Sequence, residues 1–205
     1  MNTTRTRAVL VALTATAVLA LAACGSGDGT AHSGTPATAH AGASASDSAA
    51  GAHNAQDVTF AQRMIPHHRQ ALEMAELAAG RASSARVKDL AARIEKAQDP
   101  EIKTMSGWLK AWGEDVPMAG MDHGGHTGMA GMMDDTDMTA LKKAEGTDFD
   151  TMFLTMMVEH HRGAVEMAGT ERSQGAYAPA TGLAGDIVTA QNAEIKEMKQ
   201  LLGKG

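Results

Sequence analysis

Residues 60–109 and 153–202 carry the same segment twice, at a constant offset of 93 residues and with no insertion between the matching blocks. Phe60, Met64, His67, His68, Arg69, Ala71, Glu73, Met74 and Ala75 return as Phe153, Met157, His160, His161, Arg162, Ala164, Glu166, Met167 and Ala168. Farther on, Leu90, Ile94, Gln98, Glu101, Ile102, Met105 and Leu109 return as Leu183, Ile187, Gln191, Glu194, Ile195, Met198 and Leu202. Self-similarity of this kind is how a duplicated supersecondary unit reads, so one unit must be built twice and must bury its apolar face against its own copy.

Each unit reads as a helical hairpin. From Asp57 to about Gly80 apolar residues recur at helical spacing, with Asp57 or Thr59 as a cap. At 100° per residue, Phe60, Met64, His67, His68, Ala71, Met74, Ala75 and Ala78 share one face, which places both histidines on the buried side. Ser83 or Ser84 opens a second helix reaching about Trp112, with Leu90, Ile94, Ala97, Glu101, Met105, Trp108 and Trp112 on its apolar face. The second copy places Glu194 among Leu183, Ile187, Ala190, Met198 and Leu201 in the same way. A short helix over 137–145 leads into helices over about 148–172 and 180–202, separated by Gly175 and Pro179. The fold class expected is all-α: an antiparallel four-helix bundle made of two duplicated hairpins, 57–112 and 137–205, joined by a linker over 113–136. Pro66 either kinks the first helix or stands in its first turn.

With aromatic residues at only 3% and fifteen methionines, such a core has to be built from Ala, Leu, Ile, Val and Met. Ahead of it, Arg5 and Arg7 precede an apolar run from Ala8 to Ala23, the pattern of a secretory signal over 1–23. Leu21-Ala22-Ala23-Cys24 resembles a bacterial lipobox, which implies lipidation of Cys24 and a lipid anchor on the extracytoplasmic face of the cell membrane. Cys24 is the single cysteine, so a lipidated chain has no thiol for a disulfide or a thiolate metal site. Residues 24–56 are rich in Gly, Ser, Thr and Ala and read as a disordered tether. Loss of the signal takes the net charge from −6 to −8, which argues against nucleic acid as a partner.

Two constellations carry chemistry. Imidazoles and carboxylates on core faces are costly without partners. His67 or His68 could serve as a strut to Glu101 or Glu194, or the set could hold a metal. Met64 lies one helical turn before His67 and His68, as Met157 does before His160 and His161, so thioether and imidazole can converge on one ion. Met74, Met105, Met167 and Met198 are further candidates, each with core packing as its alternative. Mixed nitrogen and thioether donors favour copper, Cu(I) above Cu(II). The linker adds Met118, Met121, His123, His126, Met129, Met132 and Met133, soft ligands threaded through Gly and Asp. Their alternative is drifted low-complexity sequence.

The paired pattern His67-His68, Ala71, Met74-Ala75, followed by Gln98, Glu101-Ile102 and Met105, resembles the family known as domain of unknown function 305, which includes CopM-like copper-binding proteins. The resemblance implies a ferritin-like four-helix bundle and, for some members, copper binding. No Glu-x-x-His pair is present, so the di-iron chemistry of similar bundles does not carry over. The expected function is therefore copper buffering, resistance or transfer by a membrane-tethered protein that is not an enzyme. The alternatives are a lipoprotein with structural histidines that meets another envelope protein, and a metal-dependent redox enzyme.

Overall fold

The computed structural model describes residues 51–118 and 129–203, which form five helices. They are α1 (Ala55–Arg81), α2 (Ala85–Trp112), α3 (Asp135–Lys143), α4 (Gly146–Gln174) and α5 (Ala178–Leu201). The four long ones make an all-α antiparallel bundle of two hairpins, α1–α2 and α4–α5. Helix α1 starts inside the stretch read as tether, because its cap is Asn54 rather than Asp57 or Thr59. The Asn54 side chain accepts from the amides of Gln56 and Asp57, and the Asp57 carboxylate accepts from the Asn54 amide, a reciprocal capping box. The short helix starts at Asp135, capped by Asp134. Pro66 does not stand in the first turn: it is interior to α1, eleven residues beyond the first helical position, and Pro100 is interior to α2 in the same manner.

The hairpins face each other through α1 and α4, and the turn of each is held by an aspartate of the other. Asp57 on α1 accepts from the amides of Ala176 and Tyr177 between α4 and α5. Asp150 on α4 accepts from the amides of Ser83 and Ser84, and from the Ser83 hydroxyl, between α1 and α2. These contacts interchange under the offset of 93, so the duplication is a pseudo-two-fold axis in space. They also place the start of α1 beside the end of α4, and the reverse, so the two helices run antiparallel. The Arg93–Glu197 ion pair, at 2.7 Å, links α2 to α5.

All eight residues placed on the inner face of α1 are buried. On α2 and α5 the buried stripe is rotated from the expected one. It runs through Gln98, Ile102 and Leu109, and through Ala184, Gln191 and Ile195, while Ala97 and Ala190 face solvent and Glu101, Glu194, Trp108 and Trp112 sit at the margin. Alanine marks either edge of a stripe equally well, whereas Ile102 and Ile195 lose more by exposure. Two apolar clusters result. One holds Phe60, Met64, Ile65, Met105, Leu109 and Ile187, and the other Met74, Leu90, Phe149, Phe153, Met157 and Met198.

Candidate metal centre

His67 and His160 meet on the pseudo-two-fold axis, their rings tilted against each other with centroids 3.7 Å apart and planes 37° apart. Both are essentially inaccessible to solvent. Among the described residues, neither Nδ1 nor Nε2 of either ring has a hydrogen-bond partner. Each such nitrogen carries a desolvation penalty of about 1 to 3 kcal/mol. Burial drives the His67 imidazole down to about 3, with His68 and His161 adding to the effect and the nearby Ala130 carbonyl opposing it. Burial, then the neighbouring His67, pushes His160 down as well. Each ring is therefore neutral, with one N–H and one nitrogen whose lone pair is free of a proton. The duplicated motif thus brings one histidine of each hairpin together on the axis.

His68 and His161 do something different. His68 Nε2 donates to Glu101 Oε2 at 2.7 Å, and His161 Nε2 donates to Glu194 Oε2 at the same distance. Of the pairings open to the sequence, each glutamate takes the second histidine of its own hairpin and none crosses the axis. In both rings Nδ1 has no partner among the described residues. A carboxylate on one imidazole nitrogen fixes the tautomer that leaves the other nitrogen as acceptor, an arrangement common behind metal-bound histidines. Met64, Met74, Met105, Met157 and Met198 are fully buried within the two apolar clusters, and Met167 packs partly buried against the first. Among the described residues no three His, Cys, Asp or Glu side chains group so as to hold an ion by themselves. An ion at this centre would draw on the imidazole nitrogens of the paired rings.

Cys24, Met121, His123 and His126 lie outside the described residues. Met118, at 60% exposure, stands away from the core. Its neighbour Pro117 is tied to α1 through its carbonyl, which accepts from Arg69 Nη1 at 2.6 Å. Met129, Met132 and Met133 are half-buried on the bundle. The Met133 amide donates to Gln70 Oε1 and its carbonyl accepts from Gln70 Nε2, both at 2.8 Å. None of the described helices is long and apolar enough to cross a membrane.

Beyond the candidate ligands, other polar residues are buried in the core. Gln98 and Gln191 are buried, with both polar atoms of Gln98 and Oε1 of Gln191 unpartnered among the described residues. Their repetition at offset 93 was the available signal. Asp57 and Asp150 also recur at that offset, but a lone aspartate near a helix start reads as a cap and not as a clamp on a distant turn. Glu171 has no such signal, since its counterpart is Ala78. It is buried beside Asp57, and burial first, then that carboxylate, raises its pKa to about 7.

The described helices match known proteins closely. The family model for "Domain of unknown function (DUF305)" matches residues 57–202. A DUF305 protein from Streptomyces coelicolor is 32% identical, with a TM-score of 0.66 over 73% of this chain and 93% of its own. CopM in its Cu(II)-bound form is 38% identical with a TM-score of 0.62, and in its Cu(I)-bound form 35% identical with 0.59, each over 71% of this chain and 94% of CopM. No curated protein matches the chain. With a family model spanning both hairpins and solved relatives above 30% identity, the chain belongs to the DUF305 family.

Proposed function

We propose that this protein is a membrane-tethered, extracytoplasmic copper-binding protein that takes Cu(I) into its bundle core, and buffers it there or hands it on. The observation that carries the reading is the His67–His160 pair: two buried, neutral rings whose nitrogens have no hydrogen-bond partner among the described residues. A structural histidine in a core is hydrogen-bonded, as His68 and His161 are. A pair left bare on the symmetry axis has the chemistry of ligands awaiting a soft cation. The Nδ1 atoms of His68 and His161 add donors, with Glu101 and Glu194 orienting those rings, and core methionines complete the set. CopM, solved with Cu(I), Cu(II) and silver, is a relative with that binding capacity.

Cu(I) competition titration tests the reading. His67→Gln with His160→Gln should weaken binding at least tenfold, and Cu(I) should raise the melting temperature of the unsubstituted protein by mass action on the native state. Undiminished affinity in the double variant would place copper elsewhere. The structural reading retains one specific observation, the Glu101–His68 and Glu194–His161 bonds, which fix helix register whether or not metal is bound.

A further inference from the structure

From His67 to Ala71 the two copies agree residue by residue except at one position. Arg69 and Ala71 match Arg162 and Ala164, but between them Gln70 is replaced by Gly163. Both of these positions hold the same short stretch of chain. Gln70 grips Met133 through both main-chain groups. Gly163 receives Ala130 so closely that a Cβ there would stand 1.8 Å from the Ala130 carbonyl oxygen, a clash with backbone that no rotamer relieves. Gly131 has φ +80, and a Cβ on it would be 2.6 Å from the Glu159 carbonyl oxygen and 2.9 Å from that of His160. Glycine is thus required twice for this segment to lie down on α4.

The antiparallel course of α1 and α4 decides what the segment covers. Gln70 lies one turn beyond His67 along α1, and Gly163 one turn beyond His160 along α4. Since the helices run in opposite directions, these two points fall on opposite sides of the paired imidazoles along the bundle axis, about 9 Å apart from the helical rise. Three residue steps of chain from Ala130 to Met133 span that distance. A strand of chain fixed at both points must cross the level of the pair, and the Ala130 carbonyl is indeed the main-chain group beside His67. A cavity of about 120 Å³ opens next to Ala130 between α1 and α4, lined by Phe60, Arg63 and Met167 among others.

We infer that residues 130–133 are a strap over the imidazole pair, fastened by Gln70 and seated on Gly163, and that anything reaching His67 and His160 passes by its release. This rests on the copper reading only for the identity of what passes. The strap also gives the methionine-rich linker a physical connection to the core, because Met132 and Met133 belong to it and Met129 precedes it.

Access is the property to measure. In the whole protein, carbethoxylation of His67 and His160 by diethyl pyrocarbonate, located by peptide mapping, should be about tenfold or more faster in Gln70→Ala and in Gly163→Ala than in the unsubstituted chain. Gln70→Ala decides the matter where Gly163→Ala does not fold, since Gln70 is half-buried and its loss should leave α1 intact, checked by circular dichroism. Transfer of Cu(I) from each variant to a chelator should accelerate by a similar factor, with the same amount bound. Unchanged labelling in a folded Gln70→Ala overturns the strap. Faster labelling in a protein that binds no Cu(I) leaves the strap standing and overturns the copper reading.

Discussion

Neighbouring histidines in this core have opposite physical roles, and substitution separates them. Among the described residues the His67 ring nitrogens have no hydrogen-bond partner of normal geometry, so His67→Leu removes two desolvated nitrogens and should leave the metal-free melting temperature unchanged or higher. His68→Leu strands Glu101 and should cost about 1 to 2 kcal/mol in denaturant unfolding. Equal losses from both would mean that His67 has a partner in solution. Glu171 supplies a pH dependence. Its folded-state pKa of about 7 lies above the ordinary 4.5, so the folded chain keeps a proton that the unfolded chain has released. That contribution is complete below about 4.5 and is lost as pH rises through 7, the reverse of a salt-bridged carboxylate. Burial pushes Asp57 up, but the Asn54 amide, Glu171 and the Tyr177 and Ala176 amides outweigh it and hold Asp57 low, so it stays the charged member. Glu171→Gln should therefore flatten the stability profile between pH 4.5 and 7 and stabilise the protein at neutral pH by about 1 to 3 kcal/mol, measured by urea titration across that range. The histidines were legible from the sequence because they repeat. The division of labour within each pair was not, since a face 120° wide holds both rings and cannot say which one meets a carboxylate.

At the level of helices, stability is concentrated where one hairpin clasps the other. Asp150→Ala removes the acceptor for two amides and a hydroxyl in the turn before α2 and should lower stability by about 2 to 4 kcal/mol, whereas a solvent-exposed carboxylate such as Asp99 can be replaced with little effect. Loss of an equally small amount from both would show that the turn is held by its own geometry. The interior prolines run against this trend. Pro66 has no N–H for the Gln62 carbonyl and Pro100 none for the Lys96 carbonyl, and each directly precedes a residue of the centre, His67 or Glu101. Pro66→Ala should raise the melting temperature, with a gain of about 1 to 2 kcal/mol after the extra unfolded-state entropy is counted. Helix number, order and ends were legible to within a few residues from periodicity and from glycine and proline punctuation. The rotation of α2 and α5 was not, because in an alanine-rich stripe the small residues do not distinguish core from margin.

For the molecule as a whole, attachment and symmetry are the questions. Cys24→Ser should shift the protein from the membrane fraction to the soluble fraction, or leave the leader uncleaved, and membrane retention of a fully processed variant would exclude a lipid anchor at that residue. The symmetry bears on origin. Asp57 holds the turn at Ala176 and Tyr177 while Asp150 holds the one at Ser83 and Ser84, and His67 lies against its own counterpart on the axis. Contacts that interchange in this way are those of an isologous interface, in which one surface recognises itself. A single ancestral hairpin, paired with an identical copy, would have possessed every one of them, including a centre shared equally by two chains. Fusion of the copies freed matched positions to diverge, as Gln70 and Gly163, Ala78 and Glu171, and Pro66 and Glu159 have done. The present chain thus has the contacts of a dimer folded into one polypeptide, and its two halves are no longer obliged to be alike.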